Sequence, residues 1–273
     1  MRQSTRVTQR PLLGDDASAR ALAVAAGAHG AYVHNALVVG EGQGSVFEHG
    51  GVDRGLVWFG PRGNLVVIAD EPDVPAIEVA MTDAVERARP AWRIAMGPSA
   101  IVNALRDRSV RTPLLLRDQV YYAGSAAAAD AALVSADVRR AERADRDRLV
   151  QATLALNESD LRIEPARVDR RWLRESIEQR IAEGATWVIG PIGSPQCKLD
   201  HGSDGPAGLV LEGVFTFPEA RGRGLAAALV ATSLRRAPGQ VCLHVGMHNA
   251  PARAAYERAG MAVAGRCRLL LFG

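Results

Sequence analysis

The chain has 273 residues, 48% of them apolar, and a formal net charge of +3 from 33 basic and 30 acidic residues. This length and composition suit one large domain or two modest domains with substantial hydrophobic cores. The near-neutral charge, without any basic block interleaved with aromatic residues, argues against nucleic-acid binding. No run of 18 apolar residues is available to span a membrane.

The cysteines and the start of the chain bear on the cellular compartment. Three cysteines (Cys197, Cys242 and Cys267) are an odd number in a chain too large to need disulfide bonds, which predicts reduced thiols. Residues 12–26 are interrupted by charged residues and by glycine, so we expect no signal peptide. These features together predict a cytoplasmic protein.

The first half of the sequence predicts a mixed α/β unit without a phosphate-binding loop. Residues 60–63, Gly-Pro-Arg-Gly, form the turn of a predicted hairpin, and Pro75 and Pro90 delimit a predicted helix. In chain order, we expect a helix over 15–28, strands over 55–59 and 64–68, a helix over 75–89, a strand over 92–96, a helix over 99–108 and a strand over 113–122.

A possible linker follows the first half. Gly124 and Ser125 precede four consecutive alanines, a composition typical of a linker or a loose helix. We therefore place the domain boundary near residue 130, which gives domains at 1–130 and 131–273.

The second half predicts alternating strands and amphipathic helices. Apolar residues recur at helical spacing in the two early segments, 143–157 and 170–183. In chain order, we expect a strand over 134–140, helices over 143–157 and 170–183, strands over 186–190, 196–200 and 208–216, a helix over 224–236, a strand over 240–245, a helix over 251–259 and a strand over 266–271.

The segment between the strand at 208–216 and the next helix has the composition of an anion site. Its glycines, Gly222 and Gly224, allow the backbone to approach a ligand closely, and Arg221 and Arg223 add positive charge. The first N–H groups of the helix, which begins with Leu225 and Ala226, have no acceptor within that helix. A glycine-rich turn of this kind also occurs for packing alone.

This turn and the later segment Asn249–Met261 together resemble the signature of the GNAT superfamily of acyl-CoA N-acyltransferases. The R-x-x-G-x-A pattern of that family falls on Arg221, Gly224 and Ala226, and the element order over 134–273 agrees with it. The resemblance implies an α+β fold with a central, mostly antiparallel sheet flanked by helices. The first half resembles the smaller, degenerate GNAT-like half of tandem proteins, which lacks the cofactor motif.

The resemblance implies acetyl-CoA as the acyl donor and assigns the parts of its site. Backbone N–H groups of residues 221–226 would bind the pyrophosphate, and the backbone of Val214, Phe215 and Thr216 would pair with pantetheine across a splayed strand edge. The N–H of Val214 or a neighbour would polarise the thioester carbonyl. Asn249 would contact a pantetheine amide; the alternative is a plain helix cap.

Candidates for proton transfer and acceptor binding follow from the same resemblance. Tyr256 would be the general acid that protonates the departing thiolate, or else a buried tyrosine with a structural partner. Glu212 is the candidate base, with an ordinary ion-paired glutamate as the alternative, and we expect a β-bulge beside it. Glu158 and Asp160, placed between the first two helices of this half, would attract a cationic amine or belong to a solvated loop.

A metal site is not expected. The Cys and His residues of this half lack the close C-x-x-C spacing of zinc sites. The residues concerned are Cys197, His201, Cys242, His244 and His248.

The sequence thus predicts an acetyl-CoA-dependent N-acetyltransferase that acts by direct attack of a primary amine in a ternary complex. The acceptor, whether a small molecule, a protein lysine or a protein N-terminus, is left open, as is the choice between monomer and homodimer. One alternative is an acyl-CoA-binding sensor or scaffold without turnover. Another is a transferase of a different acyl group.

Overall fold

The computed structural model describes residues 7–13, 16–61, 63–69, 75–88 and 92–273. Within these ranges the strands are β1 (Val7–Pro11), β2 (Gln43–His49), β3 (Val52–Phe59), β4 (Asn64–Ala69), β5 (Ile94–Gly97), β6 (Pro113–Gly124), β7 (Val138–Arg140), β8 (Thr186–Ile189), β9 (Cys197–Ser203), β10 (Leu209–Thr216), β11 (Val241–Gly246) and β12 (Ala262–Phe272). The helices are α1 (Ala17–Ala25), α2 (Ala31–Val38), α3 (Pro75–Arg87), α4 (Ser99–Arg108), α5 (Arg146–Leu161), α6 (Arg170–Ala182), α7 (Leu225–Arg236) and α8 (Ala250–Arg258).

The chain divides into two compact units. Unit 1 comprises the residues up to Tyr121 together with Ala264–Gly273, and unit 2 comprises Tyr122–Val263. The division therefore lies a few residues before the position near 130 that the alanine-rich stretch indicates. The last strand joins unit 1 because β12 pairs antiparallel with β5.

Unit 1 is a sheet with a helix pair on each face. Its strands lie in the order β1-β2-β3-β4-β5-β12-β6. Successive residues of β2 and β3 alternate between the two faces: Val46 and Leu56 pack with α1 and α2, whereas Phe47 and Val57 pack with α3 and α4. Because both faces are covered by apolar helix residues, the sheet of this unit is buried on both sides.

Unit 2 contains the strands β11-β10-β9-β8-β7 in that order. Strands β7 to β10 pair antiparallel, whereas β10 pairs parallel with β11. Helices α5 and α6 cover one face, where Leu149, Leu173 and Ile177 pack on Val188. Phe215 and Phe217, at the end of β10, pack on Ala152 of α5.

Several predicted elements differ from the structure in extent. The predicted helix over 15–28 ends at Ala25, and a separate helix, α2, follows it; strands β1 and β2 were not predicted. The predicted strand over 134–140 is reduced to β7, because residues 136–137 form a turn; a short 3-10 helix capped by Asp130 precedes it at residues 131–133. The predicted limits at Asp15, Arg89 and Pro90, and Arg62 of the hairpin turn, lie outside the described residues.

Helix α5 is one turn longer at its C-terminal end than predicted. The predicted helix ends at Asn157, but α5 continues to Leu161 and stops at Arg162, which has a left-handed φ of 55°. Glu158 and Asp160 therefore lie in the last turn of α5, and their predicted placement in a loop between helices was wrong. This turn has the polar sequence Asn-Glu-Ser-Asp, so the apolar periodicity that predicts a helix does not extend into it.

A buried carboxylate joins the start of α5 to the loop after β8. The Asp145 side chain is fully buried and accepts two hydrogen bonds from Arg139, at 2.7 and 3.0 Å. It also accepts from the backbone N–H of Glu142 and of Gly193, each at 2.8 Å. These donors lower the pKa of Asp145 despite its burial. The carboxylate therefore remains charged and holds three segments together.

We predict that Asp145→Ala lowers the free energy of unfolding by about 3 to 5 kcal/mol, because it leaves the Arg139 guanidinium without its buried partner. Asp147→Ala is the matched control, since Asp147 pairs with Arg146 at the surface and its side chain is 65% exposed. We expect that control to change stability by about 0.5 kcal/mol or less. Urea unfolding of both variants measures the difference, and equal stabilities would contradict the role given to Asp145.

Candidate functional site

The parallel pair β10–β11 separates soon after it begins. Its ladder consists of Leu209 opposite Val241 and Val210 opposite Cys242. From Leu211 to Thr216, β10 therefore has no register partner on β11, although it still pairs with β9 on its other edge. We call this open edge the β10 gap. The splayed strand that the sequence predicts is present, and it leaves backbone groups available to an extended ligand.

A β-bulge interrupts β10 beside the gap. The register with β9 runs from Glu212 opposite Asp200 directly to Phe215 opposite Lys198, so Gly213 and Val214 share one position on the partner strand. Gly213 has a left-handed φ of 57°. The bulge expected beside Glu212 is thus observed, and the simple alternation that would place Glu212 and Val214 on one face does not hold.

The turn after β10 presents unused N–H groups. Gly222 and Gly224 have φ of 74° and 77°, conformations that favour glycine. The first hydrogen bond within α7 runs from Ala228 N–H to the Gly224 carbonyl, at 3.0 Å. In the part of the chain that the structure describes, no acceptor is found for the N–H groups of residues 222–227. We call residues 221–227 the cradle, and its geometry suits an anion.

Three arginine side chains lie in or beside the cradle. Arg221 donates through Nε to the Thr216 carbonyl (3.2 Å), and Arg223 donates to Gln196 Oε1 (3.1 Å). Arg258, on α8, lies with Nη1 3.7 Å from the point that a Cβ on Gly224 would occupy. Arg258 is not among the predicted site residues. Its position on the helix after β11 would have been the only clue.

Tyr256 is buried in α8, with 6% of its surface exposed. Its ring packs edge-on against Tyr122, with centroids 5.9 Å apart. Burial raises the pKa of Tyr256 well above its usual value near 10, and the charge of Asp160 raises it further. The phenol is therefore protonated at neutral pH, and Asp160 of α5 belongs to its electrostatic surroundings.

Two other candidate residues have clear structural partners. The Asn249 side-chain oxygen accepts from Ala252 N–H at 3.2 Å, which makes Asn249 the N-cap of α8; its amide nitrogen is not used by that cap. Glu212 forms an ion pair with Arg180 (Nη2–Oε2 3.6 Å), and its side chain is 38% exposed. Asn249 thus has the capping role, and Glu212 is ion-paired, without either arrangement excluding a further contact.

The cysteines are unreactive thiols in this environment. Burial raises the pKa of Cys197 to about 11 and the pKa of Cys242 to about 12, so neither is a thiolate at neutral pH. Cys197 lies beside Thr216, with Sγ 3.3 Å from Oγ1. Among the described residues, no group of three His, Cys, Asp or Glu side chains is arranged to hold a metal ion.

In unit 1 a histidine contacts β4 just beyond its pairing with β5. The parallel pair β4–β5 ends at Val66 opposite Met96. Beyond it, His29 Nε2 lies 2.8 Å from the Val67 carbonyl and Nδ1 lies 2.9 Å from the Tyr121 hydroxyl. The carbonyl can only accept, so Nε2 carries the proton. A cavity of about 390 Å³ adjoins His29 and the start of α4.

His29 makes the stability of the protein depend on pH. Burial lowers its pKa from the usual 6.5, so the unfolded chain binds the proton more readily than the folded one. The stabilisation is therefore complete above about pH 6.5 and is lost as the pH falls toward the folded pKa. Burial lowers the pKa of His201 in the same direction, so His201 adds to the effect.

We predict that the free energy of unfolding falls between pH 7 and pH 5. The fall should be up to about 1.4 kcal/mol per pH unit for each of His29 and His201. His29→Gln, which retains an amide donor for the Val67 carbonyl, should remove part of that slope. Urea unfolding at several pH values measures it. Identical slopes for the wild type and this variant would show that His29 does not contribute.

In the described part of the chain, no helix combines the length and the apolar character required to cross a bilayer. The longest helix, α5, has 16 residues and carries several charges.

Comparisons with known proteins support the fold and show what the second half of the chain resembles. The model of the acetyltransferase (GNAT) family matches residues 153–261, which include β10, the cradle and Tyr256. A search of curated proteins found no significant match.

Solved structures resemble the chain over nearly its full length. A Drosophila protein superposes with a TM-score of 0.68 and 13% identity, over 97% of this chain and 98% of the other. A GCN5-related N-acetyltransferase from Sphaerobacter thermophilus gives 0.55 and 16%, over 98% and 95%. A GNAT-family acetyltransferase from Colwellia psychrerythraea gives 0.50 and 12%, over 97% and 100%. At these identities the likeness concerns the fold. The chain therefore has the mixed α/β fold of these structures, and residues 153–261 in its second half match the GNAT family model.

Proposed function

We propose that the protein is an acetyl-CoA-dependent N-acetyltransferase whose site is built by unit 2. The observation that carries this proposal is the continuity of the β10 gap with the cradle. An open strand edge and a row of unused N–H groups follow each other along residues 211–227. That order matches a ligand with an amide-bearing arm and a pyrophosphate at its end.

The donor would be held mainly by backbone groups. Residues 221–226 would bind the pyrophosphate, assisted by the guanidinium groups of Arg221, Arg223 and Arg258. The edge formed by Val214, Phe215 and Thr216 would pair with pantetheine, and the amide nitrogen of Asn249 would be available to the same arm. Unit 1, in which His29 occupies the Val67 carbonyl of β4, would serve as a GNAT-like domain without a donor site.

Acyl transfer would need a deprotonated amine and a protonated leaving thiolate. Glu212, at the bulge, is the proposed base, acting directly or through water. Tyr256 retains its proton because of burial and would donate it to the departing sulfur. A backbone N–H at Val214 would polarise the thioester carbonyl. The neutral state of Cys197 and Cys242 supports direct attack by the amine without a covalent enzyme intermediate.

The acceptor would be a primary amine on a small molecule or a protein. Glu158 and Asp160 lie in the last turn of α5, and Asp160 influences the Tyr256 phenol. Two carboxylates near the proposed acid would attract an ammonium group. We propose a cytoplasmic location, and a monomer or homodimer as the working assembly, without a resident metal ion.

Calorimetric titration with acetyl-CoA and with S-acetylpantetheine tests the donor site. The pantetheine compound has the thioester and both amides but lacks the pyrophosphate and the 3′-phosphoadenosine attached to it. We expect acetyl-CoA to bind at least about 100-fold more tightly, since several charge-assisted hydrogen bonds depend on the pyrophosphate. Equal affinities, or no binding of either compound, would contradict the proposal.

A further inference from the structure

The protein has a single lysine, Lys198, and it is buried. All other side chains with a permanent positive charge are arginines. Lys198 lies on β9 with its side chain 4% exposed, and its ammonium group pairs with Asp200, whose side chain is 10% exposed. The two residues are separated by one position and therefore share a face of the sheet.

This ion pair has further partners on two other elements. Thr186 of β8 donates its hydroxyl to Asp200 Oδ1 at 2.7 Å. Arg180 of α6 has Nη1 3.7 Å from Asp200 Oδ2 and Nη2 3.6 Å from Glu212 Oε2. The nearby cations keep the pKa of Asp200 low despite its burial. The pair is therefore linked, through Arg180, to the carboxylate proposed as the base.

The same pair lies directly against the bulge. A Cβ built on Gly213 would lie 2.8 Å from Asp200 Oδ2 and 2.9 Å from Lys198 Nζ. A real Cβ essentially never comes this close to another heavy atom. The backbone of Gly213 therefore packs closely against both charged groups. Gly213 also has the left-handed φ of 57° that favours glycine. The conformation of β10 at the start of the gap thus depends on this contact.

Stability does not explain such a pair. Removing two ions from water costs several kcal/mol each, and well-packed apolar residues of similar volume are often as stabilising. The ammonium group of lysine is compact and needs less room than the planar guanidinium of arginine. This agrees with a lysine, in a chain otherwise using arginine, lying beneath the bulge. A role in fixing local geometry is therefore the more economical explanation.

We propose that Lys198, Asp200 and Arg180 are positioning residues for acyl transfer. The Lys198–Asp200 pair fixes the bulge at Gly213, whose backbone lines the gap, and Arg180 holds the Glu212 carboxylate beside it. This inference rests on the function proposed above. The cradle lies beyond the end of β10, so the pyrophosphate contacts, which we expect to dominate donor affinity, are unchanged, and the pair acts mainly on turnover.

The test compares wild type, Lys198→Met, and the double variant Lys198→Met/Asp200→Leu. Turnover is measured as CoA release with a primary amine at saturating acetyl-CoA, together with KM for acetyl-CoA and urea stability. Lys198→Met removes the ammonium group that pairs with the buried Asp200, which retains the more distant Arg180, and should lower both stability and turnover. The double variant should recover stability, yet its kcat should remain about 10- to 100-fold below wild type, with KM within about threefold.

Two further variants keep the test decisive if the double variant does not fold. Arg180→Gln is a substitution on α6 that removes the ion pair with Glu212. It should lower kcat by about tenfold without raising KM for acetyl-CoA. Arg171→Gln is its control on the same helix, since the Arg171 side chain is 89% exposed and pairs only with Glu175; it should match wild type. Wild-type kcat in the double variant, or in Arg180→Gln, overturns the inference alone. A wild-type protein that binds acetyl-CoA but releases no CoA with any amine overturns the proposed function as well.

Discussion

Replacing Gly224 by Asp should weaken acetyl-CoA binding by at least about 100-fold, equivalent to about 2.7 kcal/mol. Gly224 is the N-cap of α7 and has a φ of 77°. A carboxylate at this position would place negative charge among the N–H groups proposed to bind a pyrophosphate. It would also lie near Arg258, whose Nη1 is 3.7 Å from the built Cβ, and would compete with the ligand for that cation.

Gly224→Asn is the matched control for this substitution. Asparagine has the same shape as aspartate and meets the same left-handed backbone, which both residues tolerate better than most. The difference between the two variants therefore isolates the added charge. We expect Gly224→Asn to bind acetyl-CoA at least about tenfold more tightly than Gly224→Asp. Calorimetry on both variants measures the two affinities, and equal, near-wild-type binding would remove the cradle from the donor site.

Tyr256→Phe should reduce kcat by about 10²-fold, the lower end of typical general-acid contributions. The change removes the proposed proton donor and leaves the aromatic ring that packs against Tyr122. KM for acetyl-CoA should change little, because the interaction that is lost belongs to the transition state. Steady-state CoA release over a range of acetyl-CoA concentrations separates kcat from KM.

Tyr122→Phe provides the control for Tyr256→Phe. Tyr122 is fully buried, and its hydroxyl donates to Glu257 Oε1 at 2.6 Å. Its loss should cost about 1 kcal/mol of stability through that hydrogen bond without lowering kcat by more than about twofold. Wild-type turnover in Tyr256→Phe would refute the acid assignment, as would equal losses of turnover in the two variants.

The elements of unit 2 could be predicted from the sequence because each has its own local signal. The apolar stripe of Leu173 and Ile177 defines α6, and left-handed Gly184 follows its end. Strand β1, by contrast, has the sequence Val-Thr-Gln-Arg-Pro, and its pairing depends on β2, more than 30 residues away. Local patterns contain no information on such a partner. The grouping of β12 with unit 1 could not be predicted for the same reason.

The residues of the candidate site also differ in whether the sequence alone can predict them. Glycine and arginine spacing indicates the cradle, since backbone freedom and charge are properties of residue type. Other features of the site arise from tertiary packing, so no residue spacing in the sequence predicts them. They are the Lys198–Asp200 pair, Arg258 and the ring contact of Tyr122 with Tyr256. The proposed acceptor residues, Glu158 and Asp160, lie at the end of α5, whose polar last turn has no apolar periodicity from which to predict a helix.

The most direct test of the central claim is a product measurement with labelled donor. The wild-type protein is incubated with acetyl-CoA labelled in the acetyl group and with a panel of primary amines, and the products are analysed by mass spectrometry. We expect one labelled N-acetyl product per CoA released and no label on the protein itself. Both signals should be lost in Gly224→Asp. Tight acetyl-CoA binding with no labelled product from any amine would contradict the account, and so would an acetylated enzyme that forms before amine is added.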